Sequence, residues 1–344
     1  MRPFFRRPFA YAAVFSTALA LFFLYTLLLV FVIPRKFRGP ESIPGYVEFT
    51  GTIETGWGNN LTRPTEGTDS PDELFTVSPH ESYPIVTDTL YMDRQMRIEI
   101  SHLRRFDSDV YVADVRIKDP SLLKTALAQD RYGMNIKEKT SDIAKRVNAI
   151  LAVNGDFYGT NESGYVIRNG IIYRDTIRPS NDADSDLSYF DDLAILRDGS
   201  FVTFDEKKFT AQEVWDKGTM HVLTFGPALV KGGEIAVDIN TEVGLAWSGT
   251  NNPRCAIGYV SPGHYLVIVV DGRCDQSPGT SLWELADIFR ELGAETAYNL
   301  DGGGSATMIF NGKLINTPYT NWNKPSGERR VSDIVYFGYE YPRG

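Results

Sequence analysis

Ser281-Leu282-Trp283-Glu284-Leu285-Ala286-Asp287-Ile288-Phe289-Arg290-Glu291-Leu292-Gly293-Ala294-Glu295-Thr296-Ala297-Tyr298-Asn299-Leu300-Asp301 carries the one strong helical period in the later part of the chain, and a strand follows it at once. Ser281 and Glu284 stand at capping-box spacing, and Leu282, Leu285, Ala286, Phe289 and Leu292 repeat on one face. Gly293 supplies the left-handed residue that closes a helix. The pattern predicts a helix over 282–292 and a strand over 296–300 that delivers Asp301 to its end.

Outward from that stretch, strand signals dominate. Residues 96–100 and 110–117 alternate apolar with polar, and a short helix over 141–147 feeds the apolar strand 149–153. Asn169-Gly170, Asp198-Gly199, Gly232-Gly233 and Asn311-Gly312 fall between apolar runs, each with the chemistry of a two-residue hairpin. Helices are too few to alternate with the strands, which argues against a doubly wound nucleotide-binding fold. The predicted fold is α+β, a single domain over 85–344 with one mixed, largely antiparallel sheet, preceded by a transmembrane helix.

That helix is the run 9–33, 25 residues without a charge. As a helix it measures about 37 Å, enough for a hydrocarbon core of about 30 Å. Residues 1–38 read as a cytoplasmic tip and transmembrane anchor, with a cleaved signal peptide as the rival. Basic residues flank the run equally, so they leave its orientation open. Residues 39–84, rich in Pro, Gly, Thr, Ser and Glu, read as a stalk or linker. With the start in the cytoplasm, the domain lies outside the cell, at the cell surface.

The first 38 residues hold six basic groups and no acid, leaving 29 basic against 44 acidic groups, a balance of −15, for the rest. So acidic a body is a poor partner for nucleic acid, and an anionic substrate needs a local basic pocket.

Three segments end an apolar strand in a carboxylate beside glycine: Asn154-Gly155-Asp156, Asp271-Gly272-Arg273 and Asp301-Gly302-Gly303-Gly304-Ser305. A lone Asp-Gly pair reads as a turn. Three glycines in a row exceed what a turn needs and suit close approach of backbone to a ligand, with free amides able to hold an anion. No Gly-Lys-Ser/Thr ending supports a phosphate loop, and the second glycine of a serine elbow is missing. His80, His102, His221 and His264 are scattered, giving little support to a catalytic triad or a zinc site. No cofactor is required by these residues; calcium is compatible with the many acids, yet no EF-hand spacing supports it, and the metal stays unassigned.

Six ordered motifs then acquire a common meaning: Asn154 to Tyr158, Gly226 to Val230, Asn252 to Gly258, Val270 to Arg273, Asn299 to Ser305 and Gly327 to Arg329. Together they resemble the phosphodiester glycosidase family over roughly residue 85 to the C-terminus. The resemblance implies an extracytoplasmic hydrolase that cleaves a glycosyl-1-phosphodiester in a glycan or envelope polymer, releasing sugar and a phosphomonoester. It implies Asp301 as the catalytic carboxylate with Glu328 or Asp156 as its partner. Arg254 and Arg273 would grip the phosphate, with Arg329 or Arg330 as weaker candidates. Asn154, Asp271, Asn299, Gly302, Gly303, Gly304 and Ser305 would line the substrate site, and Phe157, Tyr158 and Trp322 are candidates for stacking on sugar. Cys255 and Cys274 flank two of the motifs; a disulfide bracing the site is one reading, two small buried thiols the other. A phosphodiesterase or transferase remodelling exopolysaccharide or cell-wall polymer, and a non-catalytic glycan-binding envelope protein, are the alternative functions.

Overall fold

Strand His264–Val270 is apolar at nearly every position because both of its faces are buried: Tyr265, Val267 and Val269 enter one core cluster, and Leu266, Ile268 and Val270 another. The same division recurs across the fold in the computed structural model, which describes Leu19, Phe75 and residues 84–178, 191–237 and 251–339. Apart from Leu19, Phe75 and Pro84, the predicted anchor and stalk lie outside the described residues. Phe75 is buried, with the Lys118 ammonium 4.9 Å above its ring. Among the described residues no helix is long and apolar enough to cross a membrane.

Three sheets, not one, surround a shared core. A nine-stranded sheet runs in the order Ile85–Val86, Leu90–Met92, Met96–Arg105, Ser108–Ile117, His264–Val270, Arg254–Ser261, Thr296–Asn299, Ala228–Lys231, Glu234–Ile235. A second holds Phe201–Asp205, Asp191–Leu196, Thr219–Leu223, Val166–Arg168 and Ile171–Arg174, and a third Lys313–Leu314, Met308–Phe310, Leu151–Asn154, Asp333–Phe337 and Leu123–Leu127. Every described pairing in them is antiparallel. The central cluster takes Val267 and Ile257 from the first sheet, Leu193 and Ile195 from the second, and Val153, Val335 and Phe337 from the third. Alternation within a strand reveals its two faces but not which sheet it joins, so the single predicted sheet becomes three, with a separate two-stranded ribbon of Tyr319–Asn321 and Lys324–Pro325.

Each outer face is covered by one helix. Helix α1 (Thr140–Arg146) packs on Ala152, Ile334 and Tyr336 of the third sheet. Helix α2 (Ala211–Asp216) packs on Ala194 and Val222 of the second. Helix α3 (Leu282–Glu291) lays Leu282, Leu285, Ala286 and Phe289 on Ala256, Leu266 and Ile268. Its capping box is complete, with Ser281 Oγ accepting from Glu284 N and the Glu284 carboxylate accepting from Ser281 N. Gly258 lets α3 sit close, since a Cβ there would meet the Phe289 ring at 2.8 Å.

Asn169-Gly170, Gly232-Gly233 and Asn311-Gly312 form two-residue hairpins with both residues at positive φ. Asp198-Gly199 instead sits in a longer loop between paired strands, with positive φ at Gly199 alone. The strand predicted over 149–153 is Leu151–Asn154, because the Ala149 amide is used at the end of α1, donating to Ala144 O at 2.9 Å.

Candidate active site

Strand Thr296–Asn299 lies inside the large sheet, and its pairing continues past its end: Leu300 N donates to Cys255 O at 2.8 Å and Asp301 N to Gly155 O at 3.2 Å. Asp301 is therefore fixed where the first and third sheets meet. Asn154 clamps the loop that follows, its amide nitrogen donating to Asp301 O and its amide oxygen accepting from Thr307 N.

The three glycines are crowded by the protein itself. A Cβ on Gly302 would stand 2.7 Å from Pro253 O, on Gly303 2.9 Å from the Arg273 guanidinium, and on Gly304 2.4 Å from Thr320 Oγ1. Gly303 also has φ +59°, a conformation that glycine adopts freely. The sequence suggests close approach of this backbone to a ligand; the close neighbours of the three glycines are this chain's own segments. Gly304 faces Thr320 and is absent from the cavity wall.

A cavity of about 610 Å³ opens over this loop. Of the candidates named from sequence, Asp156, Arg254, Arg273, Asn299, Asp301, Gly302, Gly303, Ser305, Arg329 and Arg330 border it. Arg329 holds the centre: its Nε donates to Ser305 Oγ at 2.7 Å, and one terminal nitrogen reaches both Asp301 carboxylate oxygens and Gly302 O at 3.1 Å. Burial raises the Asp301 carboxyl above its ordinary range, opposed by Arg329 and by a hydrogen bond from Ser305. The carboxylate keeps 15% exposure, so it remains open to a ligand.

Two arginines flank the glycines. Arg254 is buried, its Nε donating to Thr280 O at 2.9 Å. Arg273 adopts φ +62° and directs its guanidinium to Asn252 Oδ1 and to Thr320 O. Asn299 donates from Nδ2 to Gly226 O at 2.8 Å, while its buried Oδ1 has no hydrogen-bond partner among the described residues. That oxygen is an acceptor held ready for a ligand hydroxyl or water.

Several predicted roles are corrected. Asp156 borders the cavity, but its Oδ1 accepts from Tyr158 N, and its Oδ2 from the buried Arg168 and from Thr224 N. Arg168 also bonds Asp333, so Asp156 is one of three members of a buried ion cluster and not a free acid or base. Glu328 lies off the cavity wall, because its carboxylate accepts from Ser141 N and Oγ at the start of α1. Asp271 also lies off the wall, accepting from Asn316 Nδ2 and Thr317 N; burial pushes its carboxyl up to about 6 against those two bonds. Asn154 acts through the loop it clamps and does not line the cavity.

Cys255 and Cys274 are both free and buried, which excludes the disulfide here. The hairpin pairs Cys255 with Val269, five positions before Cys274, and the two sulfurs face Asn154 O and Ser277 O respectively. Tyr158 is buried under Arg168, and the exposed Trp322 stands off the cavity wall.

Sequence reasoning missed Lys137, Asn252, Phe225 and Ser332, which also line the cavity. Asn252 and Phe225 sit inside or beside quoted motifs; Lys137 has no local signal. Phe157 and Phe225 pack edge to face at 4.8 Å, both partly exposed, and form an apolar wall. Among the described residues no histidine lines the cavity, and no group of three or more His, Cys, Asp or Glu side chains is placed to hold a metal ion.

Residues 147–338 match the sequence model of a family described as phosphodiester glycosidase. The chain is 30% identical over 211 residues to human N-acetylglucosamine-1-phosphodiester alpha-N-acetylglucosaminidase, covering 56% of this chain and 38% of that one. It is 29% identical over 213 residues to the SPbeta prophage-derived uncharacterized protein YomE of Bacillus subtilis (strain 168), covering 60% and 31%. The chain thus spans about a third of the length of these two relatives. The catalytic domain of the zebrafish N-acetylglucosamine-1-phosphodiester alpha-N-acetylglucosaminidase, auto-inhibited by its pro-peptide, shares the fold, with a TM-score of 0.54 at 20% identity over 72% of this chain and 83% of that one.

Proposed function

The chain belongs to the phosphodiester glycosidase family, and from that premise we propose that it hydrolyses a glycosyl phosphodiester at the sugar carbon. The observation that carries the reading is the wall of the cavity: one carboxylate with exposed surface, Asp301, ringed by cationic side chains in a chain of net charge −9.

Breaking the bond between the sugar carbon and its oxygen sends the electron pair to a phosphate monoester, already a good leaving group. Strong general-acid help is therefore less needed than for an ordinary glycoside, and one carboxylate with exposed surface can serve. Arg254 and Arg273 would hold the phosphate through charge-assisted hydrogen bonds and stabilise the charge it gains. Asp301 in its ionised form would take a proton from the water whose oxygen bonds to the sugar carbon. Asn299 Oδ1 would accept from a sugar hydroxyl or that water, with Phe157 and Phe225 against the apolar face of the ring.

The natural setting in this proposal is outside the cytoplasm, with the domain tethered through 9–33 and acting on an envelope or exopolysaccharide polymer. Its support is the length of that uncharged run. Protease accessibility of the domain on intact cells tests it, and full protection removes it.

Incubating the whole protein with a panel of glycosyl-1-phosphodiesters should release reducing sugar and phosphomonoester, and Asp301→Asn should abolish this. Sugar phosphate as product would mark a phosphodiesterase instead. Retention of polymer without turnover would mark a glycan-binding protein.

A further inference from the structure

Lys137, Arg254, Arg273, Arg329 and Arg330 border one cavity, against the carboxylates Asp156 and Asp301. Asp156 is matched by Arg168, and Asp301 by Arg329. Arg254 and Arg273 lean on backbone or amide oxygens beside the glycine loop, where the single negative charge of a phosphodiester would lie. Lys137 and Arg330 make no hydrogen bond or ion pair among the described residues.

Backbone register brings these last two together. Glu138 and Val331 form an antiparallel bridge, with Glu138 N donating to Val331 O and Val331 N to Glu138 O. Ser332 therefore faces Lys137 across the pair, and Arg330 lies diagonally from it on the same face, at about 7–8 Å in regular geometry. All three residues border the cavity. Lys137 is half-buried; that burial and the nearby Arg329 hold its ammonium below the usual lysine range, with Asp301 opposing them. The carboxylate near Lys137, Asp301, is already engaged by Arg329, and Arg330 has no carboxylate partner among the described residues, so an anion between Lys137 and Arg330 would relieve their repulsion.

We propose that Lys137 and Arg330 form a subsite for a second anion, so that the preferred substrate carries a carboxylate or phosphate in addition to the scissile phosphodiester. This rests on the hydrolase reading above. A repeating sugar-phosphate polymer meets the requirement through the next phosphate along, and a uronic acid meets it through its carboxylate.

Three substrates sharing one scissile bond test it: one with no further charge, one with a carboxylate on the sugar, and one with a phosphate on the leaving group. Wild-type protein should favour at least one doubly charged substrate by tenfold or more in kcat/KM, and the arm that wins identifies the source of the charge. The K137Q and R330Q variants should lower that preference at least fivefold, chiefly through KM. Equal rates on all three substrates, or a preference that survives K137Q with R330Q, overturns the subsite. Binding of the same compounds to D301N protein reads the subsite without turnover. Preferential binding of a doubly charged compound with no cleavage of any would sink the hydrolase reading and leave the subsite standing.

Discussion

Arg329 spans the Asp301 carboxylate, one terminal nitrogen lying 3.1 Å from each oxygen, so the group proposed as the base is tuned by its immediate neighbour. Burial raises this carboxyl and Arg329 lowers it. A base must be ionised, so the rate should climb as pH rises through the Asp301 titration, with its acid limb above the ordinary carboxylate range of about 3.9. Arg329→Gln removes the lowering charge and should move that limb to higher pH. A pH profile of kcat/KM for both proteins checks this; an unmoved limb separates Asp301 from the titration.

Asp156 offers the opposite case. Asp156→Ala leaves Arg168 with Asp333 alone and Thr224 N without its acceptor. Removing one partner of a buried ion pair costs about 3–5 kcal/mol. Urea denaturation should show a loss of that size, with activity falling as the protein unfolds. Full stability with lost turnover would return Asp156 to a catalytic role.

Glu328→Gln tests the other displaced carboxylate. Lys139 gives α1 no side-chain cap, and Glu328 accepts from Ser141 in its place. Weakening such a cap costs about 1 kcal/mol. Thermal unfolding should show a small drop while kcat stays within about threefold; a loss of several orders of magnitude in kcat would contradict the placement.

Asp271 gives a pH signature in stability. Its folded value, about 6, lies above the ordinary 3.8, so the folded chain holds the proton more tightly. The resulting stabilisation is present below about pH 4 and is lost as pH rises to 6. Asp271→Asn does not titrate, so its stability relative to wild type should improve between pH 4 and 7. Denaturation midpoints at both pH values decide, and a difference that does not change with pH refutes the shift.

What the sequence disclosed follows the range of the interactions. The capping box of α3, the closing Gly293 and the delivery of Asp301 by a strand each depend on neighbours within a few positions, and each is legible. The fate of the three predicted carboxylates is set at a distance. Asp156 meets Arg168 from another sheet, and Glu328 meets Ser141 187 positions away. No local spacing encodes those meetings, and the antiparallel bridge that seats Lys137 is equally silent in sequence. Arg329 stands in the Gly327 to Arg329 motif and reads there as a weaker phosphate ligand; its contact with Asp301, 28 positions away, is the part that no local spacing encodes.

The crowded glycines set a distance as well as a shape. Pro253, Arg273 and Thr320 press on successive residues of 302–304, so this loop works as a spacer gauge between a carboxylate and the cations opposite it. A single methyl at residue 303 would be felt first by the Arg273 guanidinium. The tolerance of the site is thus written in backbone, and its selectivity can drift through side chains on the far rim while that gauge stays fixed.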